Sequence, residues 1–252
     1  MNCQSTSQTL LGTELEMKLG FAPLRPAFER LSPMQPKNSP RGFFHLAAQL
    51  FDALYNMDAE ATTITPSGYT TGLSDYGRHA RSDLAKPQCE VEWSNRLAVL
   101  LSQRSYPTER EQPYPDSPRK KCDLVVRLPQ EERCWIEVKG AWRDYWGGKN
   151  TTYRSYLLHP LVLGLDESKT HTVPLDLEKL RALRPTEAHH VGMLLVGFED
   201  PNDSMDEDIA ELTKLAQLGP PWALVYGDWM SPNHEGQRVR CWFWHRPTVL
   251  AQ

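Results

Sequence analysis

Apolar residues recur about every 3.6 positions in several stretches of the chain, a period that predicts amphipathic helices. The predicted helices lie at residues 43–57, 90–104, 175–183 and 206–218. The helix at 90–104 has the clearest pattern, with one apolar stripe made of Trp93, Leu97, Leu100 and Leu101. Proline flanks the third helix on both sides, and the fourth opens with acids and stops at a Gly-Pro-Pro sequence, as helix boundaries often do.

Short apolar runs between turn residues predict strands. The predicted strands lie at residues 121–128, 134–139, 190–198, 222–226 and 239–244. The first two form a hairpin around a turn at 129–132, and the almost wholly apolar third run is typical of a central strand covered on both faces. A helix, a hairpin and then alternating helices and strands indicate an α/β fold with a central mixed sheet flanked by helices.

The first third of the chain lacks such regularity. Residues 1–42 contain five prolines and no sustained period, and the stretch after the first helix, up to about residue 86, is rich in Thr, Ser and Gly. We therefore divide the chain into an N-terminal extension, residues 1–85, with one helix and loops, and a main domain, residues 86–252.

Composition favours an ordinary folded protein. Of the 252 residues 40% are hydrophobic and 24% charged, with no apolar run long enough for a membrane span and no secretory signal, so we expect a cytoplasmic protein without a membrane partner. The five cysteines show no CxxC pair and are expected to be reduced.

Charge is unevenly distributed around the net value of −4. Residues 119–154 carry nine basic and five acidic residues, whereas residues 199–211 carry seven acids and no base. Either run could be a solvated face, but the basic one could also meet the phosphates of a nucleic acid. The residues that we expect to contact nucleic acid are Lys120, Lys121, Arg143, Lys149 and Arg154.

The predicted hairpin places ionisable groups on two adjacent strands. Because strand side chains alternate between faces, Asp123 lies on one face of its strand, and Glu137 and Lys139 share a face of the next. Burial of carboxylates among Val, Leu and Ile is costly unless they are paired or bind a metal. Hard cations such as Mg²⁺ take oxygen ligands, so Asp123, Glu137 and the backbone carbonyl of Val138 are candidate ligands of Mg²⁺ or Mn²⁺.

Two further residues were weighed for this constellation. Projection of the helix at 90–104 places Glu90 in line with Leu97 on the inward stripe and Glu92 nearly opposite, so Glu90 is the preferred additional acid and metal ligand. Asp116, in the Pro115-Asp116 pair, is an alternative to Asp123, but it lies in a proline-rich turn outside the predicted strand. The structural alternative for these residues is that they are charges on an edge strand or form a salt bridge.

The segment PDSPRKKCDLVV…CWIEVKG resembles the core signature of the PD-(D/E)xK nuclease superfamily. Asp123, Glu137 and Lys139 match its motif positions, and Glu90 lies on a helix before the hairpin, where the family often has another acid. The resemblance implies a restriction-endonuclease-like core and catalysis by Glu90, Asp123, Glu137 and Lys139 with Mg²⁺ or Mn²⁺. The family also places a basic or polar residue on the helix after this hairpin, but a long insertion leaves Lys179 and Arg181 unassigned.

The insertion begins with the sequence GAWRDYWGGKNTTYR, which alternates aromatic and basic residues. Aromatic rings could stack on bases while the cations meet phosphates, although the same aromatics could equally cap the core. Elsewhere, His189 and His190 enter a predicted strand and are interpreted as structural, and the chain lacks GxxxxGK[ST], HExxH and GxSxG motifs.

The function that we expect is hydrolysis of phosphodiester bonds in DNA, with RNA left open, in a setting such as restriction or anti-phage defence. The alternative is a catalytically silent nucleic-acid-binding or assembly module with a nuclease-like fold. Many such enzymes dimerise, so a second copy or a protein partner is an open expectation, but no interface is visible in the sequence.

Overall fold

The computed structural model describes residues 41–60, 69–70, 72–74, 86–87, 90–142, 157–158, 172–199 and 204–248. The helices are α1 (Arg41–Ala59), α2 (Glu90–Gln103), α3 (Val173–Ala182) and α4 (Asp206–Leu215). The strands are β1 (Tyr69–Thr70), β2 (Lys86–Pro87), β3 (Thr108–Tyr114), β4 (Ser117–Arg127), β5 (Arg133–Trp142), β6 (His190–Glu199), β7 (Ala223–Met230) and β8 (Arg238–Pro247). All four predicted helices and five predicted strands are confirmed, with ends that differ by a few residues.

Six strands form one mixed sheet in the order β3-β4-β5-β6-β8-β7. Strands β5 and β6 are parallel, and every other neighbouring pair in this sheet is antiparallel. Helices cover the sheet, so the predicted α/β fold with a mixed sheet is confirmed at this level. A separate parallel pair joins β1 to β2 within the region predicted as a loop.

Strand β3 was missed by the sequence prediction, and β4 begins earlier than expected. The prolines at 107, 113, 115 and 118 indicated a turn region, yet Pro113 lies in β3 opposite Lys121. Proline is tolerated there because β3 is an edge strand. Pro115 and Asp116 form the link between β3 and β4, where Tyr114 faces Ser117.

The two faces of the sheet are covered by different helices. On one face, buried residues of α1 and α2, such as Leu50 and Leu97, pack with Leu124 and Ile136 of the hairpin. The opposite face packs against α3 and α4, whose buried residues include Leu177, Leu180, Ile209 and Leu212. The alternation predicted for the hairpin is confirmed, because Val125 and Trp135 belong to this second core and their strand neighbours to the first.

Strand β6 is buried along its whole length, from His190 to Glu199, as predicted for a central strand. It therefore fixes the position of β5 on one side and β8 on the other. Because burial on both faces removes apolar surface from water, β6 is a large source of stability for the sheet.

Helix α1 packs into the core on one face of the sheet. Its residues Phe43, Leu46, Leu54 and Met57 are buried in the same cluster as α2 and the strands. The boundary predicted between residues 85 and 86 stays a prediction, and residues 1–40 lie outside the described part of the chain.

Three cysteines, Cys122, Cys134 and Cys241, are buried free thiols, and burial raises the pKa of each. None of the described helices is long and apolar enough to cross a membrane.

Candidate active site

The candidate site begins where the pairing of β4 with β5 ends. Leu124 and Ile136 form the last recorded pair of this ladder, and Asp123 and Glu137 are the next residues on each strand. At this point a side chain replaces the ladder, because the N–H of Val138 donates to Oδ2 of Asp123 at 2.8 Å. The carboxylate of Asp123 is thus held beside the backbone of the ExK segment.

The other side of Asp123 is also irregular. Arg110 pairs with Leu124 and Gln112 with Cys122, while Glu111, between them, has a positive φ of 52°. A left-handed backbone is uncommon for a residue other than glycine. Local strain on β3 therefore lies directly opposite the strand position that carries Asp123.

Glu137 is a buried carboxyl group with two polar partners on one oxygen. Its exposed fraction is 2%, and its Oε1 accepts hydrogen bonds from the hydroxyl of Tyr114 at 2.6 Å and from Nζ of Lys179 at 3.3 Å. Burial raises the pKa of Glu137 well above its usual value, and the negative charges of Asp176 and Asp123 raise it further. Its environment thus disfavours an uncompensated negative charge, which a nearby cation would stabilise.

Lys139 is held between two acids that come from opposite sides of the sheet. Its Nζ lies 3.4 Å from Oε2 of Glu90 on α2 and 3.0 Å from Oδ2 of Asp176 on α3. Glu90 also accepts a hydrogen bond from the N–H of Gly140, at 2.8 Å. The prediction that Glu90 faces inward is confirmed, whereas Glu92 is exposed.

Helix α3 contributes two residues that sequence reasoning left unassigned. Asp176 is fully buried and forms ion pairs with both Lys139 and Lys179. Lys179 connects Asp176 with Glu137 and also lies 5.7 Å from the centre of the Tyr114 ring. Their spacing of three residues on a helix bounded by proline was the available signal, since it places both on one helical face.

These contacts form a chain of alternating charges, which we call the ion chain. It consists of Glu90, Lys139, Asp176, Lys179 and Glu137. With Asp123 beside its last member, the site contains four acids and two bases, an excess of two negative charges when all are ionised. Such an oxygen-rich, negatively charged set fits a divalent cation.

Glu90, Asp123 and Glu137 are not arranged as a three-acid metal cluster. Within the described ranges no group of three or more His, Cys, Asp or Glu side chains is placed to hold a metal ion. The two carboxylates nearest each other on the hairpin, together with a backbone carbonyl, are nonetheless a usual donor set for Mg²⁺, which keeps several waters. The carbonyl of Val138 and the carboxylate of Glu90 stay predicted ligands.

The residues predicted to contact nucleic acid do not all fall within the described structure. Lys120 and Lys121 are exposed on β4, and Lys121 pairs with Glu111 at 3.0 Å. Arg143, Lys149 and Arg154, with the aromatic residues between them, lie outside the described residues. The role of all five stays a prediction.

The alternative acid Asp116 lies away from the ion chain. It is exposed in the link between β3 and β4, and its nearest recorded cation is Arg184 at 3.6 Å. The preference for Asp123 is therefore consistent with the geometry.

The histidines of β6 and β8 form a separate, structural group. His190 contacts Glu132 at 3.1 Å, and its ring meets that of Phe43, which also stacks on His245. His189 accepts a hydrogen bond from the N–H of Arg133. These contacts support the structural interpretation of the His189-His190 pair.

In three comparisons with known proteins, the chain matched no family model, no curated protein and no solved structure.

Proposed function

We propose that the protein is a nuclease of the PD-(D/E)xK type that hydrolyses phosphodiester bonds in DNA with Mg²⁺ or Mn²⁺. The observation that carries the proposal is the position of Asp123 and Glu137 at the end of the β4–β5 ladder, next to Lys139. Two carboxylates and a lysine on neighbouring strands match the residues that this chemistry needs. The proposal extends to no particular target sequence.

The order of the elements gives further support. Helix α2 with Glu90 precedes the β4–β5 hairpin, and α3 and β6 follow it. This is the order of elements that we expect from the resemblance. Lys179, which the resemblance left unassigned, lies on α3 after the hairpin. A restriction-endonuclease-like core is accordingly part of the proposal.

The cation would be held by Asp123, Glu137 and the carbonyl of Val138, with Glu90 as a further candidate. When bound, such a metal lowers the pKa of a water and offsets charge on the phosphate. Among the described residues, the hydrogen bonds to the two acids fall on Oδ2 of Asp123 and Oε1 of Glu137, and the second carboxylate oxygen of each is the candidate metal ligand. Burial raises the pKa of Glu137, so added positive charge beside it would stabilise the ionised form of this carboxyl group.

Lys139 would act on the water and the phosphate. Its side chain is 9% exposed and contacts Glu90 and Asp176, so its ammonium group has a defined position beside β5. Between two carboxylates, a lysine is suited to stabilising the negative charge that develops on the phosphate. Proton transfer from the water is the alternative role.

The test is incubation of purified protein with linear, circular, single-stranded and double-stranded DNA, with Mg²⁺, with Mn²⁺ and with EDTA. We expect metal-dependent cleavage that Asp123→Asn, Glu137→Gln and Lys139→Met each abolish. Asp116→Asn and Glu92→Gln are matched controls, because both acids are exposed and outside the ion chain. Full activity in any of the three site variants would overturn the assignment.

The same experiment separates the alternative function. Binding of DNA without cleavage of any substrate, with either metal, would favour a silent nucleic-acid-binding module. RNA substrates in a parallel series decide whether the activity is restricted to DNA.

A further inference from the structure

Lys179 places a positive charge where the proposed cation would need to act. Its Nζ lies 3.3 Å from Oε1 of Glu137 and also forms an ion pair with Asp176, so one ammonium group bridges two buried carboxylates. The side chains of these two acids are only 2% and 1% exposed, so water screens the charges weakly. The positive charge of Lys179 therefore interacts strongly with the carboxylate of Glu137.

We propose that Lys179 and the divalent cation compete for Glu137, and that Asp176 retains Lys179 when the cation binds. This inference rests on the proposed cation site. It assigns Lys179 the part of a built-in counter-ion that favours the ionised form of Glu137, against the effect of burial, before the metal binds.

The geometry makes such an exchange a small movement. Lys179 already contacts Asp176, which lies three residues earlier on the same helix. Rotation of its long side chain away from Glu137 leaves that ion pair in place. Glu137 keeps the hydrogen bond from the hydroxyl of Tyr114, so the carboxylate stays oriented while its counter-ion changes.

Asp176 supplies the negative charge that balances the two lysines of the site. It forms ion pairs with both lysines of the ion chain, and each of these lysines also contacts a second acid of the chain. Without its negative charge, Lys179 would be held more firmly at Glu137. Asp176 is in this sense a positioning residue, which acts on the cation through Lys179.

The experiment measures Mn²⁺ binding to the purified full chain without DNA, by the loss of the free Mn²⁺ signal in electron paramagnetic resonance. For Lys179→Gln we expect at least about tenfold tighter binding, because removal of a unit charge a few ångströms away is worth more than 1.4 kcal/mol at an effective dielectric constant near 20. For Asp176→Asn we expect at least about tenfold weaker binding for the same reason.

Several variants keep the result interpretable. Lys179→Arg retains the positive charge and should not tighten binding, while Lys214→Gln, on the exposed side of α4, controls for the loss of a lysine elsewhere. Circular dichroism establishes that each variant is folded. If the buried Asp176→Asn variant fails to fold, the comparison of Lys179→Gln with Lys179→Arg carries the test alone.

The outcomes separate this inference from the proposed function. Mn²⁺ binding by the wild type that neither Lys179→Gln nor Asp176→Asn changes overturns the competition and leaves the cation site standing. Absence of binding by every variant overturns both. Binding by Lys179→Gln with none by the wild type supports the competition, and a Mn²⁺-bound crystal structure should then show Lys179 paired with Asp176 but not with Glu137.

Discussion

Asp123 accepts a hydrogen bond from the backbone N–H of Val138 at 2.8 Å, and this bond takes the place of a ladder contact between β4 and β5. The side chain of Asp123 therefore has both a structural and a proposed functional role. One of its oxygens secures the end of the hairpin, and its charge contributes to the candidate cation site. Substitutions at this position can separate the two.

Asp123→Ala should destabilise the fold as well as remove activity. It leaves the N–H of the buried residue Val138 without its partner, which costs about 1–3 kcal/mol. Asp123→Asn retains an oxygen acceptor and should cost less, while it still removes the charge. Urea unfolding of both variants measures the difference, and equal stability of the two would show that the hydrogen bond contributes nothing.

Glu137 should make stability fall as the pH rises when no divalent cation is present. Its folded-state pKa is raised by burial and by the charges of Asp176 and Asp123, so the folded state retains a proton that the unfolded state loses. Its contribution is complete below the unfolded-state pKa of about 4.3 and is lost as the pH rises through the folded-state pKa.

Glu137→Gln removes this titration. We expect the variant to be more stable than the wild type at pH 8 in EDTA, and the difference to shrink towards pH 4. Thermal unfolding across this range is the measurement. A constant difference at every pH would contradict the raised pKa, and added Mn²⁺ should stabilise the wild type but not the variant.

His245 should make the folded state less stable as the pH falls, which is the opposite of the pH dependence expected from Glu137. Burial lowers its pKa to about 4, with a smaller contribution from His190, while the unfolded value is near 6.5. The unfolded state then binds the proton first, so stability is present above pH 6.5 and declines as the pH falls towards 4. The shift corresponds to about 3 kcal/mol for this group, whose side chain is buried.

The substitution His245→Phe tests this predicted loss of stability in acid. The ring of His245 stacks on Phe43 at 4.5 Å, and neither of its nitrogens has a hydrogen-bond partner in the described part of the chain. His245→Phe should therefore keep the packing, fold normally at pH 7.5 and lose stability less steeply between pH 6.5 and 4. An unchanged acid profile in urea unfolding would rule out His245 as the source.

Sequence reasoning found the hairpin and its faces because alternation of side chains depends only on local geometry. The same applies to Glu90, whose inward position follows from the helical period. Sequence reasoning did not assign Asp176 and Lys179 to the site. The 30 residues between β5 and α3 carry no pattern that indicates where α3 lies relative to β5. Strand β3 was missed for a different reason, since its edge position, which a sequence does not display, is what permits proline.

The central strand provides a prediction about packing alone. A Cβ atom at Gly192 would lie 2.5 Å from Cε2 of Phe243, whereas one at Gly219 would have no heavy atom within 4 Å. Gly192→Ala should cost about 1–3 kcal/mol through overpacking, and Gly219→Ala should change stability by less than about 0.5 kcal/mol. Urea unfolding of both variants compares the sites directly, and a neutral Gly192→Ala would mean that β6 and β8 separate easily.

The ion chain joins residues that are far apart in sequence: Lys139 and Glu90 are separated by 49 positions, and Lys179 and Glu137 by 42. Contacts of this range close large loops and form slowly compared with a hairpin. The β4–β5 hairpin can form early in folding, before the residues of α2 and α3 complete the ion chain. Competence for chemistry should thus emerge late in folding, once α2 and α3 have docked on opposite faces of the sheet, and partly folded chains should be inert towards nucleic acid cleavage.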